Sequence, residues 1–120
     1  MKITAMLLAA ILSIPAGLAQ ADTQGMQSMA DAGIKHFMAP MDTMMSAMPM
    51  MSTGKPDADF LLMMIPHHQS AIDMAEVELK LGTDEPTRAM AQQIIDAQKA
   101  EIATMRTMLE AMGVTPPPAK

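Results

Sequence analysis

An all-α fold, a small up-and-down helical bundle built on a long antiparallel helical hairpin, is what this sequence predicts. Two long stretches repeat apolar residues at helical spacing, a short polar connection joins them, and nothing in the chain alternates with the period of a strand. Composition sets the scale. Only 18% of the residues are charged, while 18 are Met and none is Cys, Trp or Tyr.

The N-terminus has the form of an export leader. Met1-Lys2 gives a positive start, Ile3 to Ile14 an apolar run, and Ala19-Gln20-Ala21 a small-x-small cleavage signal after Pro15. The run is well short of the ~20 residues needed to span a bilayer, so residues 1–21 are expected to be removed, leaving Asp22 first in a periplasmic or secreted product. No Cys follows the cleavage signal to carry a lipid, so no membrane attachment is expected afterwards. Without Lys2, seven basic residues face thirteen acidic ones, a net charge of −6 that argues against nucleic acid and anionic membranes. The remaining length supports one domain with a modest core.

Residues 22–56 form a Met-rich segment. It is expected to be helical from about Gln24 to Met48, interrupted at Gly33 and Pro40, with Ile34, Met38, Met41, Met45 and Met48 on one face. Thr53-Gly54-Lys55-Pro56 then makes a turn. A helical-hairpin domain follows over residues 57–113, its first helix starting with Asp57 as N-cap and ending at Gly82. Phe60, Met63, His67, Ala71, Met74 and Leu81 make one stripe; Leu61, Ile65, His68, Ile72 and Leu79 make a second. A helix apolar on two faces is expected at the centre of its bundle. Pro66 cannot donate to the Leu62 carbonyl, which predicts a kink one turn before the histidines.

The second helix starts at Thr83 or Asp84 with Pro86 in its first turn and ends at Met112-Gly113. Its seam is Ala91, Ile94/Ile95, Gln98, Ile102, Met105, Leu109 and Met112, close to the period of a helix packed lengthwise on a neighbour. Residues 114–120 form a Pro-rich tail. A hairpin turning near residues 83 and 84 places Met63 opposite Met105, and His67 opposite Gln98, Glu101 and Ile102. On this register His67 is the buried histidine, with Glu101 or Gln98 as the acceptor for its second nitrogen.

Imidazole and thioether together form a soft ligand set, suited to copper and above all to Cu(I). In a compartment where thiolates are lost to disulfides, Met and His are the donors that survive. Two places offer them. In the segment Met63 to Ala75, Met63 and Met64 precede His67 and His68 by one turn and share their faces. In Met41 to Met51, the short Met spacings let Met41, Met44, Met45 and Met48 close around one ion, with His36 nearby. The bland alternative is packing, since Met fills irregular core gaps; Met74, Met90, Met108 and Met112 read that way. A Met-rich surface also suits a promiscuous protein-binding groove.

The run DADFLLMMIPHHQSAIDMA, followed by Ile94, Ile95, Gln98, Glu101, Ile102 and Met105, resembles the exported copper-binding CopM-like proteins, which carry domain of unknown function 305. The shared pattern is D-x-D-F, then M-I-P-H-H-Q-x-A-I-x-M-A, then I-I-x-x-Q-x-x-E-I-x-x-M. The resemblance implies a ferritin-like bundle and a role in copper resistance or homeostasis. It marks Met64, His67, His68 and Met74 as metal positions, with Met63 and Met105 as neighbours. Many members carry the domain twice and this chain carries it once, so a site spanning two copies implies a homodimer.

The leading expectation is a periplasmic protein that sequesters Cu(I), or passes it to a copper exporter or oxidase, and that also takes Cu(II) through its histidines. It is not an enzyme on this reading. A di-metal oxidase would place an acid three residues before a His, and none of His36, His67 and His68 has one. A Met-rich adaptor or holdase without metal is the remaining alternative.

Overall fold

The computed structural model describes residues 33–119, within one unit that begins at Ala32. The leader over residues 1–21, the start at Asp22 and the part of the first helix expected before Gly33 lie outside those residues. Three helices and no strand make up the described chain: α1 over residues 33–47, α2 Pro56–Leu81 and α3 Glu85–Ala111. None of them is long and apolar enough to cross a membrane.

Each boundary has a local cause. Helix α2 starts earlier than an Asp57 cap would allow: Lys55 is the N-cap, with no side-chain cap bond, and Pro56 takes the first position. Proline suits that place because its fixed φ is already helical and its missing N–H would be unbonded anyway. The acid that does tie down the entry is Asp59. Its carboxylate accepts from the Thr53 amide and hydroxyl, each at 2.7 Å, and from the Ser52 hydroxyl. These bonds, Ser52 first, hold the Asp59 carboxyl below its usual value of 3.8. Gly54, at φ +77°, makes the reversal just before.

Helix α2 stops at Gly82, and Arg88 from the first turn of α3 reaches back to the Leu79 and Gly82 carbonyls at 2.6 and 3.0 Å. Asp84 caps α3 by accepting from the Thr87 amide at 3.0 Å. At the far end the Val114 amide donates to Leu109 and the Gly113 amide to Glu110, with Gly113 at φ +71°. That is the paired closure of a helix by a left-handed glycine, and Val114 packs against the core beside it.

The early part of α2 packs on the late part of α3, and the late part on the early part. Ala58, Leu61 and Ile65 cluster with Met105 and Leu109; Ile72 and Ala75 cluster with Ala91 and Ile95. The two helices therefore run in opposite directions. On α2 the buried line is Ala58, Leu61, Ile65, His68, Ile72 and Ala75, in alternating steps of three and four residues. On α3 it is Ala91, Ile95, Met105 and Leu109, with Gln98, Ile102 and Met112 half-buried between and beyond them. Both lines follow a heptad, the spacing that keeps a seam facing its partner along its length.

This seam corrects three expectations. The Phe60 stripe of helix α2 is not buried, since Phe60, Met63 and Leu81 are 60%, 51% and 46% exposed; the second buried side carries Pro66 and Ser70 instead. Met63 points away from Met105, whose neighbours are Leu61 and Met64. His68, not His67, lies in the seam. The physical reason is the same for all three: both stripes keep heptad spacing, and it is the small Ala58 and Ala75 that let the other line approach α3 closely. Pro66 lies inside α2 with its ring buried, and the helix continues through it.

Helix α1 also runs through its proline, without the expected interruption. Pro40 is buried, with Thr43, Met44 and Ala47 beside it facing α2 and α3. The face carrying Ile34, Met38, Met41 and Met45 is exposed, between 40% and 65%.

Candidate metal centre

His68 interrupts an otherwise apolar seam. It lies between the two core clusters, 9% exposed, and both of its ring nitrogens have oxygen partners. Nδ1 is 2.9 Å from the Met64 carbonyl one turn earlier, and Nε2 is 2.6 Å from Oε2 of Glu101 on α3. A carbonyl can only accept, so Nδ1 carries a proton. The short contact to Glu101 then needs a second proton, on Nε2 or on the carboxyl. Held through Nδ1, the ring presents Nε2 to the gap between the helices, the way a metal-binding imidazole is commonly oriented by a carbonyl behind it.

That gap is a groove of about 360 Å³ lined by Phe60, Leu61, Met64, His68, Glu101, Thr104, Met105 and Met108. Three thioethers, one imidazole and one carboxylate share it. The helical period brings them together: Met64 is one turn before His68 on α2, and Met105 and Met108 are one and two turns after Glu101 on α3. The chemistry favours a soft ion. Among the described residues no three His, Cys, Asp or Glu side chains gather in a way that could hold a metal.

The sequence-selected residues divide accordingly. Met64, His68 and Met105 meet in the groove. His67 is exposed on the adjacent edge of α2; its ring centroid is 6.1 Å from that of His68 and tilted 60° to it. Met63 is exposed, and Met74 is half-buried further along α2, outside the groove. His36, Met41 and Met45 lie exposed on α1, and Met44 and Met48 are half-buried. Met108, expected to be packing, is 45% exposed and forms a groove wall; Met90, expected likewise, is 62% exposed. The signal for Met108 is its place three residues past Met105 on the side of Glu101.

A larger cleft of about 910 Å³ lies on the other edge of the seam, between α1, the two long helices and the tail. The Arg106 guanidinium donates to the Pro117 carbonyl there, which fixes the tail along the cleft. Met44 is its one thioether and it has no His, so the larger cavity has the poorer donors.

Residues 6–109, most of the chain, match the model of a protein family described as Domain of unknown function (DUF305). Among curated proteins none matches.

Proposed function

This chain belongs to the DUF305 family, and from the donor chemistry of the His68 groove we propose that it is a copper-binding protein that sequesters or hands on Cu(I). The observation that carries the reading is one imidazole, with its far nitrogen already tied to a carbonyl, opening on a groove walled by Met64, Met105 and Met108. Neutral thioethers favour a d¹⁰ ion over Zn²⁺ or Ni²⁺. Glu101 is hydrogen-bonded to Nε2 at 2.6 Å; Cu(I) binding at Nε2 would break that bond, with its proton leaving to solvent. The freed carboxylate, with the imidazole, gives Cu(II) a harder ligand pair.

In this reading the three helices are a ferritin-like up-and-down bundle, the protein works in the periplasm after loss of its leader, and its role is copper resistance or homeostasis without catalysis. An exporter or a copper oxidase is the natural recipient. The exposed Met38, Met41 and Met45 on α1, with His36, form a second, weaker soft-ligand strip. The same exposed strip is what would favour a holdase, which would bind peptide whether or not copper is chelated.

Anaerobic titration with Cu(I) against a chromophoric chelator tests the groove. Met64→Leu, Met105→Leu and Met108→Leu keep the apolar volume and remove the sulfur, so each is expected to weaken Cu(I) by about tenfold, or ~1.4 kcal/mol. Equal competition by Zn²⁺, or wild-type affinity in the triple variant, rejects the assignment.

A further inference from the structure

The three thioethers of the His68 groove are not alike. Met105 is 7% exposed and belongs to the core cluster with Leu61 and Leu109. Met64 is half-buried and packs against that cluster. Met108 is 45% exposed and belongs to neither core cluster, yet it forms a wall of the groove. One sulfur of the three therefore stands open to water, and it is the one whose packing the core needs least. In a chain without Cys, Trp or Tyr, the thioether is also the side chain most open to two-electron oxidation.

We propose that Met108 is a site of reversible sulfoxidation that turns the groove off, a regulation that rests on the copper reading above. The oxidant is a peroxide. A lone pair of the Met108 sulfur attacks one oxygen of hydrogen peroxide; the S–O bond forms as the O–O bond breaks, and the second oxygen leaves with both protons as water. Sulfur gives up the two electrons that the peroxide gains. The product carries a hard, polar oxygen where a soft neutral donor stood. Cu(I) then has one thioether fewer, while His68 and Glu101 are chemically untouched. A methionine sulfoxide reductase, one enzyme for each sulfur epimer, restores the thioether.

Position decides what each oxidation does. A sulfoxide at Met105 would put a polar group into the core, at a cost in stability. At Met108 the new oxygen stays at the solvent edge, so the site is lost and the fold is kept. Met50 and Met51, at 93% and 85% exposed, are oxidised at least as readily, but they line neither the groove nor the larger cleft. Their sulfoxides leave the groove as it was. Occupancy matters too. Coordination to a d¹⁰ ion draws electron density from the sulfur and covers its open side, so the loaded groove resists the oxidant and the empty one does not.

Stepwise treatment of the metal-free protein with hydrogen peroxide, in chelator so that trace copper makes no radicals, tests the switch. Peptide mass spectrometry locates the sulfoxides, and melting temperature and Cu(I) affinity are read on the same samples after the peroxide is removed. Met108 is expected to oxidise alongside Met90, which is 62% exposed and outside the groove, and well ahead of Met105. Affinity should fall about tenfold as Met108 converts, the loss expected of Met108→Leu, with the melting temperature unchanged. The two sulfoxide reductases should restore it. At that peroxide dose Met108→Leu should lose no further affinity, whereas Met90→Leu and the double variant Met50→Leu, Met51→Leu should respond as wild type does. Ag(I), a d¹⁰ ion without the redox cycling of copper, should protect Met108 and not Met90. Oxidation of Met108 no faster than Met105, an affinity loss that persists in Met108→Leu, a loss that tracks melting, or no protection by Ag(I) overturns the inference. Failure of the copper reading looks different: the same order of oxidation in a protein that binds neither Cu(I) nor Ag(I) before peroxide is added removes the site itself, and the switch with it.

Discussion

Replacing His68 by Leu separates what this residue does for the fold from the part in metal binding proposed for it. The ring sits in a seam flanked by Ile65 and Ile72, and the substitution would join the two core clusters into one. The losses are modest. The Met64 carbonyl keeps its ordinary helical amide partner, and Glu101, whose side chain is 58% exposed, returns to water. A hydrogen bond with one well-solvated partner is worth about 0.5–1.5 kcal/mol, whereas burying a leucine side chain contributes about 1.5–3 kcal/mol. The balance is a change between about zero and +2 kcal/mol, and a kilocalorie moves the midpoint of a domain this size by roughly 4–8 °C. His68→Leu is therefore expected to melt at or somewhat above the wild-type temperature. Its Cu(I) affinity should fall by about a hundredfold, ~2.7 kcal/mol, because the groove loses its one nitrogen donor. His68→Ala, which leaves a void instead, should lose both. Circular-dichroism melting and chelator competition on the same preparations read the two effects. A His68→Leu protein that melts well below wild type would refute the view that the seam is a heptad tolerating an apolar residue there. Copper affinity within twofold of wild type would remove His68 from the site.

Two further expectations concern the helix ends. The carboxyls of Asp59 and Asp84 are held below 3.8 by hydrogen bonds from Ser52 and Thr53, and from Thr87, respectively. A folded value lowered in this way lends stability that is complete above the unfolded value and fades as pH falls through the folded one. Asp59→Asn and Asp84→Ala should thus melt lower than wild type at neutral pH, and the gap should close on acidification below about 3.8, as acid titration of helicity would show; a gap constant with pH would contradict it. Gly113→Ala should destabilise by about 1 kcal/mol from backbone strain alone, since φ is +71° and a methyl group there meets nothing within 4 Å. Denaturant melts in which this variant matches wild type would argue that α3 does not end in the closure described.

The register between the long helices is legible in the sequence, and the face is not. A turn near residues 83 and 84 brings the correct levels together, so Glu101 emerges as the partner of a histidine. The difficulty lies in choosing between two adjacent stripes on α2 by hydrophobic strength. Phe60, Met63 and Leu81 outweigh Ala58 and Ala75 on any scale of apolarity, yet the alanines mark the seam, because close helix approach needs small residues as much as large ones. Alternating steps of three and four fit Ala58, Leu61, Ile65, His68, Ile72 and Ala75, but Phe60, Met63 and His67 begin the same steps and Phe60, His67, Met74 and Leu81 stand seven apart, so spacing alone does not choose the face. The same preference for the stronger stripe hides what α1 does: it turns Pro40, Met44 and Ala47 toward the other helices and leaves its methionine-rich face outside. Which methionines line a groove depends on side-chain direction at a seam edge, and that is set by the face, so Met108 escapes notice once the wrong face is chosen.

The seam also gives a reason for the proposed metal site to lie at this level of the two long helices. A lone histidine in a heptad core weakens it, since the ring must find hydrogen-bond partners where an isoleucine needs none. Here the partners come from residues that already line the groove: the Met64 carbonyl holds the ring, and the Met64 side chain forms the wall in front of it. One turn of α2 thus supplies the orienting group, the imidazole and a thioether, and α3 adds Glu101, Met105 and Met108 from the facing turns. Moving the histidine one heptad either way, to the position of Leu61 or of Ala75, would leave it without Glu101 opposite. The double variant that combines His68→Leu with Leu61→His, which puts no larger side chain at a close-approach alanine, should therefore bind Cu(I) no better than His68→Leu alone. Recovery of affinity in that double variant would show that the site does not depend on the Glu101 level.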